Sequence, residues 1–264
     1  MISDQHESNP LFPVRLQYSV ERPAVRAIAM NLCVGTSGYS YKEWKGSFYP
    51  QDLAAGEMLR FYATKLPAVE INNTFYRLPK ASVLEAWAAQ VPDHFRFAIK
   101  ASRRITHFKR LKGAEEETAY LLETLKTLGP RLGVVLFQLP PNLKKDLDRL
   151  QQFLGLLTAG TRAVFEFRHP SWQDDQVLDA LRARGCALCI GEVDDEPAPE
   201  VVATASFGYL RLRRASYEKP DLVRWIEAIN AQPWDEAYVF FKHEDAGAGP
   251  KQAGEFLDLA RGKA

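Results

Sequence analysis

Cysteine is scarce. Cys33, Cys186 and Cys189 do not make a disulfide framework in a chain of 264 residues, and a reducing cytoplasm is the expected compartment. Cys186-Ala-Leu-Cys189 has the spacing of a redox or metal pair. On a strand, however, residues three apart point to opposite faces, so core packing is expected instead. Long apolar runs are also missing: none approaches the roughly 18 residues of a membrane span, and no membrane partner is expected. The polar N-terminus, with His6, Glu7, Ser8 and Asn9, is followed by no signal-peptide core. Neither sign of charge dominates. Lys and Arg number 34 against 33 Asp and Glu, a formal net charge of +1, which argues against binding nucleic acid by bulk charge. No His-x-x-x-His, Walker loop or nucleophile elbow occurs, and neither a metal nor a cofactor is expected.

What is present is an ordinary globular composition, 46% hydrophobic and 25% charged, with length enough for a large core. Residues 1–30 are proline-spotted and aperiodic. They are read as an N-terminal extension, part of it mobile, with Met30 as an alternative start; the domain is expected over 31–264. From there, eight short apolar runs begin near 32, 68, 95, 132, 162, 187, 208 and 238. Helix-period segments separate most of them, at 58–65, 82–90, 115–128, 146–157, 174–184, 222–231 and 250–261. Leu147, Leu150, Leu154 and Leu157 form a one-faced stripe, and Gly129-Pro130 is a strong helix stop. The acidic, proline-rich stretch 192–200 leaves little room for a helix. Such alternation implies parallel strands with crossover helices, and eight units in this length predict a single-domain α/β (β/α)8 TIM-type barrel. A doubly wound sheet is the alternative, but no Gly-x-Gly-x-x-Gly turn follows the first run.

In such a barrel the functional side chains lie at the C-terminal ends of the strands. The second run ends in Glu70 and Asn72, with Tyr76 beyond. The third ends in Lys100 and leads to Arg103, Arg104 and His107. The fourth ends in Gln138, the fifth in Glu166, Arg168 and His169, the seventh in Arg211 and Arg213, and the eighth in Lys242. Residues two apart share a face. Glu70 with Asn72, Glu166 with Arg168, Ala98 with Lys100, and Arg211 with Arg213 are therefore expected to face the lumen or its mouth.

Glu70 and Glu166 are the acid/base candidates and His169 a proton carrier. Lys100, Arg168 and Arg211 would hold an anion and stabilise developing charge. Asn72, Tyr76, His107, Gln138, Arg213 and Lys242 complete the expected substrate-binding set. Gly247 and Gly249 join it because glycine-rich backbone entering a helix offers amide donors to an anion. A structural ion network filling the lumen explains the Glu70, Glu166 and Arg168 pattern equally well. For His169 a bond to loop backbone is the better structural reading, and for Trp44 and Trp172 packing is.

Several stretches carry a family resemblance. They are Val34-Gly-Thr-Ser-Gly-Tyr39, Glu70-Ile-Asn-Asn-Thr-Phe-Tyr-Arg-Leu-Pro79, Leu136-Phe-Gln-Leu-Pro-Pro141, Phe165-Glu-Phe-Arg-His-Pro-Ser-Trp172, Tyr209-Leu-Arg-Leu-Arg213 and Phe241-Lys-His-Glu-Asp245. Together with the Ile-Thr-His of the loop after Lys100, they resemble the YecE-like family, domain of unknown function 72. The resemblance implies a (β/α)8 barrel and supplies no reaction. The chain departs from the pattern of many members at Arg213-Arg214, where His-Gly is common, and at Lys242-His243, where paired asparagines are.

The residues predict an enzyme acting by hydrolysis or isomerisation on a small anionic or phosphorylated substrate. The basic run Arg103 to Lys112 supports a weaker alternative, a nucleic-acid-binding or nucleic-acid-processing protein. A non-catalytic ligand-binding barrel is the third reading. Substrate and oligomeric state are left open.

Overall fold

Each apolar run becomes a strand because its side chains alternate between two buried environments, the lumen and the layer under the helices. The computed structural model describes residues 30–242 and 247–262. The strands are β1 (Asn31–Ser37), β2 (Ala68–Ile71), β3 (Arg96–Lys100), β4 (Leu132–Gln138), β5 (Ala163–Glu166), β6 (Ala187–Glu192), β7 (Phe207–Leu212) and β8 (Glu236–Phe241). They pair in sequence order, all parallel, and β8 returns to β1, giving a closed eight-stranded barrel in one domain. The helices are α1 (Met58–Ala63), α2 (Ala81–Ala88), α3 (Glu115–Leu125), α4 (Leu147–Leu156), α5 (Asp175–Ala183), α6 (Lys219–Asn230) and α7 (Ala248–Ala260). No helix joins β6 to β7, as the proline-rich stretch there predicts. Among the described residues no helix is long and apolar enough to cross a membrane.

Boundaries differ where local chemistry outweighs hydrophobic period. α3 ends at Leu125, short of the expected Leu128, and a 3-10 turn over Lys126–Arg131 carries Gly129 at φ 54° before Pro130. α6 starts three residues earlier than its first apolar position. Pro220 suits its first turn, and Asp221 accepts the Glu218 N–H at 3.2 Å. Residues 1–29 of the expected extension lie outside the described residues.

Two apolar clusters divide the core. The larger lies between strands and helices; the smaller fills the lumen and includes Cys33, Ala98, Val134, Val164, Tyr209 and Tyr238. Cys186 belongs to the first and Cys189 to the second, on opposite faces as their spacing requires. Trp44 and Trp172 are both buried in the larger cluster.

At the N-terminal end of the strands, Glu236 accepts hydrogen bonds from Arg162, Asn31 (2.7 Å), Tyr238 (2.8 Å) and Cys33 (3.3 Å). Burial pushes the Glu236 carboxyl up, but Arg162 and these donors outweigh it and hold it below its ordinary range. Arg162 also lies 4.3 Å from the centre of the Phe207 ring. This polar floor closes the end of the barrel opposite to that used for function in such folds.

Candidate active site

The C-terminal ends of β2, β5 and β7 meet at Arg211, whose side chain is almost fully buried. Its guanidinium fork is split between two carboxylates: one terminal nitrogen donates to Glu70 Oε1 at 2.9 Å, the other to Glu166 Oε2 at 2.6 Å. Glu70 has no exposed surface and is saturated with donors. Ser37 and the Asn72 amide each reach Oε1 at 2.8 Å, and the Tyr209 hydroxyl reaches Oε2 at 2.5 Å. Glu166 takes the Gln138 amide at 2.8 Å and Arg168 Nε at 3.2 Å. The expected strand parity therefore holds: Glu70 with Asn72, and Glu166 with Arg168, lie together on the inner side.

Electrostatics fixes the state of these groups. Burial raises both carboxyls, but the Arg211 charge and the converging donors more than offset it. Glu70 is held below its ordinary value, and Glu166 is lowered to about 2. A carboxyl so placed carries no proton near neutrality and is a weak base. The acid/base work expected of Glu70 and Glu166 does not suit these surroundings; they orient Arg211 instead.

Lys100 ends β3 with its Nζ 4.4 Å from the centre of the Phe75 ring. Among the described residues it has no carboxylate partner, since Glu70 and Glu166 are already engaged by Arg211. Burial, then the Arg211 charge, lower its amine to about 8. His107 packs edge-on against the same Phe75 ring at 4.8 Å, and its Nδ1 is 2.9 Å from the Thr106 hydroxyl. Burial and the positive charges of Lys100 and Arg168 lower it as well. Arg213 is half-buried, also without a carboxylate partner among the described residues. Burial and Arg211 lower it, and Glu166, Glu70 and Arg168 all act on it. Among the described residues the mouth thus gathers Lys100, Arg168, Arg211 and Arg213 around two carboxylates, an excess of positive charge. Arg211 Nε and Asn72 Oδ1 are buried there with no hydrogen-bond partner in the structure.

Other expected site residues stand apart. His169 Nδ1 accepts the Ser171 N–H at 3.1 Å and lies 2.8 Å from its hydroxyl, capping the turn Pro170–Trp172. It bonds loop backbone rather than either carboxylate. Tyr76 is 68% exposed at the rim, against Arg103. Gly247 begins α7 at φ 82°, and a Cβ there would lie 2.7 Å from Ser47 Oγ. A left-handed backbone and close contact with the β1–α1 loop account for that glycine. Gly249 is buried in the first turn of α7. The Lys242 backbone N–H continues the ladder to Leu212 O at 3.1 Å. Residues 243–246 of the same loop lie outside the described residues.

Tyr209 and Phe75 were not singled out from the sequence. Tyr209 was within reach, because it is two residues from Arg211 and shares its face. Phe75 carried no signal distinct from packing. Glu192, read as loop, ends β6 and accepts the Trp225 indole N–H at 2.9 Å on the helix side.

Comparison with known proteins places this arrangement in a family. The chain is 33% identical over 133 residues to the UPF0759 protein YecE of Escherichia coli (strain K12). That match covers 48% of this chain and 49% of the E. coli protein, about half its length. It is 25% identical over 230 residues to the UPF0759 protein YunF of Bacillus subtilis (strain 168), covering 80% of this chain and 78% of that one. The crystal structure of a DUF72 family protein from Thermotoga maritima superposes with a TM-score of 0.77 at 24% identity. It covers 88% of this chain and 99% of that chain, a likeness of fold. Residues 33–264 match the family described as "Protein of unknown function DUF72", and the chain belongs to that family.

Proposed function

We propose that the barrel is an enzyme whose C-terminal mouth binds a small anionic or phosphorylated substrate and carries out a hydrolysis or isomerisation. The observation that carries this reading is the convergence of Lys100, Arg168 and Arg213 on the Glu70–Arg211–Glu166 hub, which among the described residues leaves positive charge in excess at a partly desolvated barrel mouth. Fixed cations in such a place attract and orient anions far better than they do in bulk water. Arg211 is held rigid by its two carboxylates, and Arg168 and Arg213 are the groups that meet the substrate. Lys100, lowered to about 8, and His107, held below its ordinary value and so able to accept a proton near neutral pH, replace Glu70, Glu166 and His169 as the proton-handling pair.

Binding of inorganic phosphate measured by isothermal titration calorimetry tests this. The wild-type protein is expected to bind, and Arg213→Ala to weaken binding about tenfold, the loss of one charge-assisted hydrogen bond. Equal affinity in the two proteins would remove Arg213 from the site; absence of binding to phosphate, sulfate and sugar phosphates alike would sink the reading.

A second reading, nucleic-acid binding, is favoured by the rim. Tyr76 and Phe108 are 68% and 67% exposed, and Arg103 lies 5.2 Å from the centre of each ring. Exposed aromatics around an arginine can stack bases. Part of the neighbouring basic run is already used, with Lys109 Nζ 2.6 Å from Glu117. If the reading holds, a single-stranded oligonucleotide binds at low salt, its affinity falls steeply with salt, and Phe108→Ala weakens it. No binding in low-salt fluorescence anisotropy excludes it.

A further inference from the structure

Lys100 is built differently from the other cations of the mouth. It shares its face with Ala98, which fills the lumen, so its side chain rises from the barrel interior. Its backbone is pinned, with its carbonyl accepting the Thr74 hydroxyl at 2.7 Å. Its Nζ lies over the Phe75 ring, 4.4 Å from the centre. Two carboxylates share the mouth, yet neither pairs with it, because Arg211 bridges both and Ser37, Tyr209, Asn72 and Gln138 occupy much of what remains. The lumen-side position and the Arg211 charge favour the uncharged amine, which is the nucleophilic form, against the pull of the Phe75 ring face and the two carboxylates toward the ammonium.

Resting on the anion-binding reading above, we propose that Lys100 is an imine-forming nucleophile and that the substrate is an aldehyde or ketone carrying a phosphate or carboxylate group. The neutral Nζ adds to the carbonyl carbon, forming the C–N bond as the C=O π pair moves to oxygen. The ammonium so formed loses a proton and the oxygen gains one, giving a carbinolamine. Protonation of that hydroxyl releases it as water while the nitrogen lone pair forms C=N, and the iminium so formed returns the proton from nitrogen to give the imine. Amine and carbonyl thus become imine and water, with no oxidant or reductant. Arg168 and Arg213 hold the anionic group. His107 packs on the same Phe75 ring with Nδ1 taken by Thr106, so its Nε2 is placed to carry the proton. An imine at this position is an electron sink suited to isomerisation rather than hydrolysis.

Trapping tests this directly. The full chain is incubated separately with pyridoxal phosphate, glyceraldehyde 3-phosphate and the neutral aldehyde propanal, reduced with cyanoborohydride, digested and mapped by mass spectrometry. Phosphorylated aldehydes should label Lys100 roughly tenfold or more faster than the exposed Lys80 and Lys112, with the Lys100 rate rising through about pH 8. Propanal should show a smaller preference, and excess inorganic phosphate should slow the phosphorylated probes. In Lys100→Arg preferential labelling is lost and passes to no other lysine. Phosphate binding without preferential labelling of Lys100 overturns the imine and leaves the anion site standing. Preferential labelling by propanal and the phosphorylated probes at the same rate overturns the anionic substrate class. Neither labelling nor phosphate binding overturns both.

Discussion

Arg211→Met lowers the stability of the fold by about 3–5 kcal/mol and abolishes anion binding at the mouth, the order expected when one member of a buried ion pair is removed. The reason lies in what is left behind. Glu70 is fully enclosed and the Glu166 side chain is 13% exposed; Arg211 is the guanidinium that bridges them, with Arg168 a second partner of Glu166 alone. Arg211→Lys recovers little, because a single ammonium cannot span two carboxylates as a planar fork does. Glu70→Gln combined with Arg211→Met recovers part of the loss by removing one stranded charge.

The pH dependence of the same variant flattens. In the wild type Glu166 sits at about 2 in the fold against an ordinary 4.5. A depressed carboxyl stabilises the fold fully above its unfolded value, and that contribution disappears as pH falls from about 4.5 through about 2. Without Arg211, burial is opposed only by Tyr209, Asn72 and Ser37 at Glu70 and by Arg168 and Gln138 at Glu166, so both carboxyls rise from their wild-type positions. The stability they contribute at neutral pH shrinks, and Arg211→Met should lose less on going from pH 7 to pH 3 than the wild type does. Urea unfolding at several pH values measures this. A variant that loses less than about 1 kcal/mol and keeps the wild-type pH profile would show that the bridge is not what holds the upper lumen.

The barrel and the inner faces of its strands were legible in the sequence because both follow from period. Eight apolar runs separated by helical stripes leave few topologies, and a spacing of two puts Glu166 with Arg168 and Arg211 with Arg213 whatever the fold's details. The division of labour among the charges was not legible. Glu70 and Glu166 read as an acid/base pair because nothing local shows that Arg211, 141 residues from Glu70, bridges them. His169 looked reactive beside Glu166 and Arg168, but one residue of offset turns it to the backbone of its own loop. Lys100 read as one more cation, and its lack of a carboxylate partner among the described residues depends on groups drawn from β1, β2, β4 and β7. Gly247 suggested an anion cradle, while the nearest atoms to a side chain there belong to Ser47 and Phe48. The floor around Glu236 escaped notice because Arg162 and Glu236 begin their strands, where charge normally means solvent.

Gly35→Ala should be among the most damaging single substitutions in the chain, and the sequence shows Gly35 only as part of a turn-like Gly-Thr-Ser-Gly stretch. It sits inside β1, opposite Ala68 of β2. A Cβ at Gly35 would lie 1.8 Å from the Ala68 carbonyl oxygen, 2.7 Å from its carbon and 2.9 Å from the Tyr62 hydroxyl. Backbone paired in a closed barrel cannot step aside as a side-chain tip can. The same point is bridged by Tyr62, whose hydroxyl accepts the Thr36 N–H at 2.9 Å and donates to Ala68 O at 2.9 Å. Displacing β2 breaks that bridge. It also separates Ser37 from Glu70, each two residues beyond the clash, and so reaches the Arg211 hub. The expected loss is about 4 kcal/mol or more, at the upper end for one substitution. Tyr62→Phe, which deletes only the bridging hydroxyl, should lose about 1–3 kcal/mol as the Thr36 and Ala68 groups go unpaired. Urea midpoints for the two variants separate the steric effect from the polar one. An alanine variant no less stable than Tyr62→Phe would mean that β1 and β2 can part at this point without opening the barrel.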